Sequence, residues 1–525
     1  MKNNGLKYLK QTLLPLVVFS LVTGVLTGAV IFLFKIASTA VIGLSEGIYA
    51  LARQNLLIAP LIIVGAGLVG LLSALILKLI PECRGGGIPS AIGALRGQVP
   101  IKNILSLPFV FFASLLTYLG GVPLGTEGPA VQMGTLVGWT TSKVIGKKTP
   151  AWHRYTMTGG ACAGFAAATG APLTGIFFAF EEAHRRFTPM IFISAALTTL
   201  FSSLTMHLLC LAGGVNERLF IFSLDSVMPV KYMWSALLIG LICGIFALFF
   251  TKAYKKVSKL CERLMRRIPF MARIPLIFVA VALIGLLSAE LVGTGHHMID
   301  TLIEGHGIWY MLIIYLLVRS VFLMIANTQG ITGGFFIPSL AIGAMIGALC
   351  GKGMVALGIM PREYVAITVV IGMVSFLSAS SRVPLTALAF ALEALSGHTN
   401  FLPIAIGVAV AFTVIETVGE HSFNDTVVDM KIAERNRGKE VYENEVELIV
   451  ARDAFVIGRE IRDVLWPPNC MVVSVIKNPY VASHRPSEFG EGDLLRVHFR
   501  TTDPEFIAER LEELVGKQEG LYADE

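Results

Sequence analysis

Three stretches of this chain, Leu13–Phe34, Leu56–Leu77 and Tyr232–Phe250, contain no charged residue. Roughly 20 apolar residues in a helix cross the hydrocarbon core of a bilayer. Runs of 22, 22 and 19 residues therefore predict membrane spans and leave few soluble folds open. Lys2, Lys7 and Lys10 precede the first run, which is too long for the core of a cleaved signal peptide. Other apolar stretches, such as 104–126, 155–180, 320–351 and 364–381, are interrupted by Gly, Pro and Ser. They read as pairs of short or broken helices. Irregular backbone at membrane depth survives only where it is buried in protein or lines a cavity, so the interruptions point to a binding or conduction site.

Composition agrees once the chain is divided. Charged residues are 15 % of the whole, against about 25 % in an average soluble protein. Residues 1–430 hold 29 Lys/Arg against 17 Asp/Glu, a net +12; residues 431–525 hold 13 against 19, a net −6. The chain is thus a basic, oily body joined to an acidic, soluble-looking tail, divided as 1–435 and 436–525. The basic excess reads as membrane topology, not as a nucleic-acid surface. Residues 252–273 carry eight Lys/Arg and one acid, Glu262, which predicts a cytoplasmic loop on the same side as the N-terminus. The cluster Lys143, Lys147, Lys148 and Arg154 is not placed by charge alone. The seven cysteines include no CxxC pair and read as buried apolar residues.

The body repeats itself. Residues 164–182, GFAAATGAPLTGIFFAFEE, align with 376–394, FLSASSRVPLTALAFALEA, which brings Glu181 over Glu393. Upstream, GTEGP (125–129) pairs with GFFIP (334–338). Two related halves fit an internally duplicated transporter with its site near the midplane.

Three glycine-proline segments, GGGIP (85–89), GTEGP (125–129) and GGFFIP (333–338), read as helix starts, because proline in a first turn sacrifices no hydrogen bond. Helix N-termini expose unpaired amides and attract anions. One helix end contributes about 0.3–2 kcal/mol, whereas a bare ion in the bilayer core faces a cost of tens of kcal/mol. Several converging ends, with charge-assisted amide bonds of about 1.5–3 kcal/mol each, are needed to hold a dehydrated anion. Glu127 lies inside the second segment. Ionised, its carboxylate would fill an anion position; protonated, it would vacate it, so proton and anion compete. Glu181 and Glu182 end an apolar helix before His184, Arg185 and Arg186; one of them is a candidate proton relay. Glu393 and Glu416 read as structural, and His296-His297 as a solvated loop. No HExxH, Walker A or nucleophile-elbow pattern is present, so neither an enzyme nor a resident cofactor is expected.

In the order of these motifs, residues 10–435 resemble the ClC family of chloride channels and proton-coupled anion antiporters, whose pattern is GSGIP, G(K/R)EGP and GxFxP. The resemblance implies an all-α polytopic membrane protein of two inverted repeats of broken helices, assembled as a homodimer in lipid. It implies chloride and protons as partners, Glu127 as the gating glutamate and Glu182 as the internal proton glutamate. It also implies anion binding at Gly87, Ile88 and the amides of Phe335 and Phe336. Both glutamates favour an antiporter over a passive channel. Three positions depart from the pattern: Gly86 replaces the serine whose hydroxyl meets the anion, Thr126 replaces the basic residue before Glu127, and Asn424, in SFND (422–425), replaces a tyrosine at the inner side. The fluoride-transporting branch also lacks that serine and tyrosine, so fluoride is the alternative cargo.

In the tail, 446–450, 471–476 and 494–499 read as strands, and 457–465 and 503–515 as amphipathic helices. The small α+β module resembles the TrkA-C, or RCK-C, regulatory domains of potassium-uptake systems. The resemblance implies a cytoplasmic ligand-binding domain in a prokaryotic plasma membrane protein. Cyclic di-AMP is a possible ligand, with Lys477, Arg485 and Pro486 as contacts.

Overall fold

The first apolar run becomes a helix nearly twice its length. In the computed structural model, which describes residues 13–101, 103–145, 150–222, 224, 226–480 and 487–517, α1 (Leu14–Gln54) continues past Lys35. The lysine does not break it, because its ammonium reaches out to donate to the Glu217 carbonyl at 2.6 Å; a long stem with a mobile head is suited to this. α2 (Ala59–Leu79), the short α3 (Ile88–Leu95) and α4 (Ser106–Leu119) follow, then α5 (Glu127–Ile145) and α6 (His153–Thr169). α7 (Pro172–Phe178) runs into a π turn at Ala179–Ala183, and α8 (Pro189–Gly213) closes the first half. The second half comprises α9 (Trp234–Met265), α10 (Phe270–Leu287), α11 (His296–Ile303), α12 (Trp309–Thr328), α13 (Phe336–Ala356), α14 (Val365–Ser381), α15 (Pro384–Ala394), α16 (Phe401–Val418) and α17 (Phe423–Arg435). Among the described residues, nine helices are long and apolar enough to cross a membrane.

The duplication is visible in packing. α5 meets α6 along Gly134, Gly138, Gly160 and Gly164, and α13 meets α14 along Gly343, Gly347 and Gly372. At each of these a Cβ would collide with the partner helix backbone. Such seams bring backbones together where lipid offers no hydrophobic drive. α7 and α15 start alike: Gly170 at φ 67° and Arg382 at φ 59° turn the chain, and Pro172 and Pro384 open the helices. Each helix caps the other. Glu181 accepts from the Leu385 and Thr386 amides at 2.8 and 2.6 Å. Glu393 accepts from the Leu173 and Thr174 amides at 2.7 and 2.9 Å. The two glutamates that align in the repeat therefore complete two equivalent caps.

The tail is a three-stranded antiparallel sheet with a helix. β1 (Tyr442–Ile449), β2 (Cys470–Ile476) and β3 (Leu494–Thr501) take the order β1-β3-β2, and α18 (Pro504–Val515) follows. Leu448, Leu495, Val497, Ile507, Leu511 and Val515 form its core. The expected helix over 457–465 is not formed; only a 3₁₀ turn at Ile461–Asp463 is present. The physical reason is that the start of the segment pairs with another stretch of the tail: Gly458, at φ 72°, donates its N–H to Phe489 O, and Phe489 N–H donates to Arg459 O, both at 2.9 Å. The carbonyls at its end, which a helix would leave unpaired, go to the body. Tyr155 Oη donates to Asp463 O at 2.7 Å, Arg186 to Val464 O at 2.9 Å, and Arg154 to both Leu465 O and Trp466 O at 2.8 Å. Arg437 of the linker reaches Glu262 at 3.9 Å. The basic stretch 252–273 is not a loop: α9 runs through it to Met265 and α10 begins at Phe270. Its Glu262 and, from the other basic cluster, Arg154 both meet the tail, so this face is here the tail side; Lys147 and Lys148 lie outside the described residues. His296-His297 is also not a loop: His296 opens α11 and stacks on Phe220 at 5.0 Å, while His297 is exposed.

Candidate functional site

The three glycine-proline segments start α3, α5 and α13, and the fold brings the starts together. Gly125 and Gly334 exchange backbone hydrogen bonds, N–H to O at 2.8 Å and 2.7 Å, so the loops before α5 and α13 pair across the repeat. The loop before α3 joins them: Gly85 N–H donates to Gly330 O at 2.9 Å, and Thr332 Oγ1 to Cys83 O at 2.8 Å. Gly87 has φ 69°, and a Cβ there would fall 2.6 Å from Pro129 N. A Cβ on Gly128 would fall 2.6 Å from Gly334 Cα. Only glycine permits this approach. Gly86, Gly87, Ile88, Phe335 and Phe336 are therefore near neighbours around the same junction.

Glu127 occupies the junction and is fully buried. One carboxylate oxygen accepts from Thr126 Oγ1 at 2.8 Å, and the carboxylate faces the Ile337 amide in the first turn of α13. Its Oε2 has no hydrogen-bond partner among the described residues. Tyr118 Oη supports the loop by donating to Gly125 O at 3.1 Å. Phe335 stacks on Phe423, the first residue of α17, with ring centroids 4.1 Å apart.

Glu182 is buried on the tail side and is held by side chains. Asn424 Nδ2 donates to its carboxylate. Arg96, which caps the C-terminal end of α3, donates to Glu182 O at 2.8 Å, to Ala183 O at 2.9 Å and to Asp425 Oδ1 at 2.8 Å. Asp425 also pairs with Arg185 and accepts from Ser422 Oγ at 2.8 Å. Asn424, expected at the anion, thus has its amide on the proton candidate. Glu181 is committed to the α15 cap, leaving Glu182 as the glutamate of the pair that lies in the interior. Glu416 pairs with Arg382. Sequence reasoning missed Arg96, whose partners lie 86 to 329 residues away and which no local signal marks, and gave no role to Asp425, although Ser422 capping its amide is a local helix-start pattern. In the tail, Lys477 donates to Asp493 at 2.8 Å and to Glu488 O. Arg485 and Pro486 lie outside the described residues.

Two inverted halves of membrane helices, with three helix N-termini and a buried carboxylate at their junction, define a polytopic ion-transport architecture. Residues 68–416 match the family described as Voltage gated chloride channel, and the chain belongs to that family. Its fold is similar to the X-ray crystal structure of a slow cyanobacterial Cl-/H+ antiporter (TM-score 0.73, 23 % identity, 80 % of this chain and 99 % of that one). It is also similar to a eukaryotic CLC transporter (TM-score 0.66, 20 % identity, 85 % and 77 %). A CLC-type fluoride/proton antiporter matches with TM-score 0.64 and 21 % identity over 79 % and 98 % of the two chains.

Proposed function

We propose that this protein is a proton-coupled chloride antiporter, not an enzyme, working as a homodimer. The observation that carries the reading is the buried Glu127 carboxylate at the start of α5, facing the first turn of α13, with the start of α3 packed on the adjoining Gly128-Pro129 backbone. Ionised, it takes the place an anion would take among the amides. Protonated, it loses the charge that holds it there, and a halide replaces it. Each ligand lowers the other's affinity by the same factor, which is the condition for coupled exchange. Glu182 accepts protons from the tail side, and its burial between Asn424 and Arg96 keeps it apart from bulk solvent. Reconstituted in liposomes, the protein is expected to move protons uphill when driven by a chloride gradient, and Glu182→Gln to stop that movement. Absence of uphill movement in the unmodified protein would mark a passive channel.

Fluoride is the second reading, favoured by two observations: Gly86 carries no hydroxyl, and Asn424 is turned to Glu182. Fluoride greatly outcompeting chloride in efflux would establish it.

The tail reads as a cytoplasmic regulatory domain in a prokaryotic plasma membrane, since basic residues gather on its side of the body. Arg154, Tyr155 and Arg186 engage four consecutive tail carbonyls, and this clamp lies next to the Glu182 turn, which supports regulation through docking. Cyclic di-AMP is the ligand to test, by calorimetry on the full chain; no heat and no thermal shift would end that idea.

A further inference from the structure

The junction of the three helix ends contains a polar group that no motif supplies. Asn327, one residue from the end of α12, is 5 % exposed, and its Nδ2 is a buried donor with no hydrogen-bond partner among the described residues. Tyr254 Oη donates to Asn327 Oδ1 at 3.2 Å, which turns Nδ2 the other way, toward Gly86. A Cβ built on Gly86 would lie 3.0 Å from that nitrogen and 3.6 Å from Gly333 O. The amide therefore stands beside the space that a side chain at position 86 would fill. The Tyr254 ring meets Phe423 edge-on at 4.8 Å, and Phe423 stacks on Phe335, so the pair borders the same junction from the α9 side.

A buried donor without an acceptor is costly, about 1–3 kcal/mol, and in native proteins it calls for an explanation. We propose that Asn327 Nδ2 is an anion ligand of this protein, supplying from α12 the side-chain donor that Gly86 does not, with Tyr254 orienting it. The inference rests on the reading of the junction as an anion cradle. A neutral amide is suited to the task because it offers a donor without fixing a counter-charge that would trap a halide. The crowding is also reciprocal: with Asn327 in place, Gly86 has little room for a serine side chain.

Chloride titration calorimetry on the purified full-length protein tests this. Asn327→Leu keeps the branched skeleton and removes the donor; chloride affinity is expected to fall about tenfold or more, the equivalent of one charge-assisted hydrogen bond. Tyr254→Phe, a gentler change that leaves the amide unoriented, is expected to weaken binding about threefold. In Asn327→Ala, the space opened allows Gly86→Ser, and that second substitution is expected to recover affinity. Wild-type affinity in Asn327→Leu and Tyr254→Phe overturns the assignment, as does failure of Gly86→Ser to recover binding. Should Asn327→Leu not fold, Tyr254→Phe and the double variant decide. Absence of halide binding in both the unmodified protein and Glu127→Gln would instead sink the cradle, and the Asn327 assignment with it.

Discussion

The two buried glutamates are held by opposite means. Glu127 lies against backbone amides at the starts of α5 and α13, with one hydroxyl neighbour and one oxygen that has no partner among the described residues. Glu182 lies in a frame of side chains, with Asn424 on its carboxylate and the Arg96 fork on its carbonyl. Backbone dipoles act on any small anion, since a helix N-terminus favours negative charge whatever its chemistry. A side-chain frame is selective and rigid, since an arginine fork matches its acceptors by geometry as well as charge. The contrast suits a site that must exchange its occupant and a site that must keep its carboxylate in place.

The sharpest way to break that contrast is Glu127→Gln. The amide side chain cannot ionise, so proton movement is expected to fall by at least about tenfold and anion flux to lose its dependence on acid. Retention of acid dependence in liposome flux would remove Glu127 from the mechanism. Next comes Arg96→Met, which strips three hydrogen bonds around Glu182. The ratio of protons to anions moved is expected to drop about three- to tenfold, and Arg96→Lys to restore only part of it, since an ammonium lacks the fork. Equal loss of both fluxes would assign Arg96 to folding alone.

A third carboxylate combines the two modes. Asp493 in the tail accepts from Lys477 at 2.8 Å, and from the Gly490 and Asn478 amides at 2.8 and 3.0 Å. Burial alone would raise its pKa, but the Lys477 bond and the two amides outweigh it and hold the carboxyl below the ordinary range. A depressed native pKa means that this stabilisation is complete above the unfolded value of about 3.9 and is lost as pH falls through the native one. Asp493→Asn is expected to destabilise the tail by about 2 kcal/mol at neutral pH, with the difference closing in strong acid. Hydrogen exchange of β3 measures it. Last comes Tyr155→Phe, which removes both bonds of this hydroxyl to the docked tail, the one donated to Asp463 O and the one accepted from the Leu465 amide, about 1 kcal/mol each. The expected readout is faster proteolysis of the 436–441 linker, with the fold of the body unchanged.

Much of this was readable locally. The uncharged runs, the helix starts at GGGIP, GTEGP and GGFFIP, and the strands and final helix of the tail depend on neighbours within a few positions, and the internal repeat on comparing one half with the other; of the stretches expected to be broken, 364–381 is instead the single helix α14. The alignment of Glu181 with Glu393 even pointed to equivalent structural places, though not to their reciprocal caps. Where local reading failed, a distant partner had intervened. The 457–465 segment has an amphipathic pattern, but Phe489 takes the Gly458 amide and the Arg459 carbonyl out of a helix. The His296 ring finds Phe220 instead of solvent.

Hydrophobic length and glycine-proline punctuation, then, were enough to establish that this is a duplicated membrane protein whose broken helices begin at three special points. Only tertiary structure decided that those points meet, that Arg96 and Asn424 frame Glu182, and that Asn327 stands beside Gly86. The reason is physical. Burial and helix initiation are properties of adjacent residues, whereas a hydrogen bond between groups hundreds of positions apart exists only once the folded chain has brought them within about 3 Å.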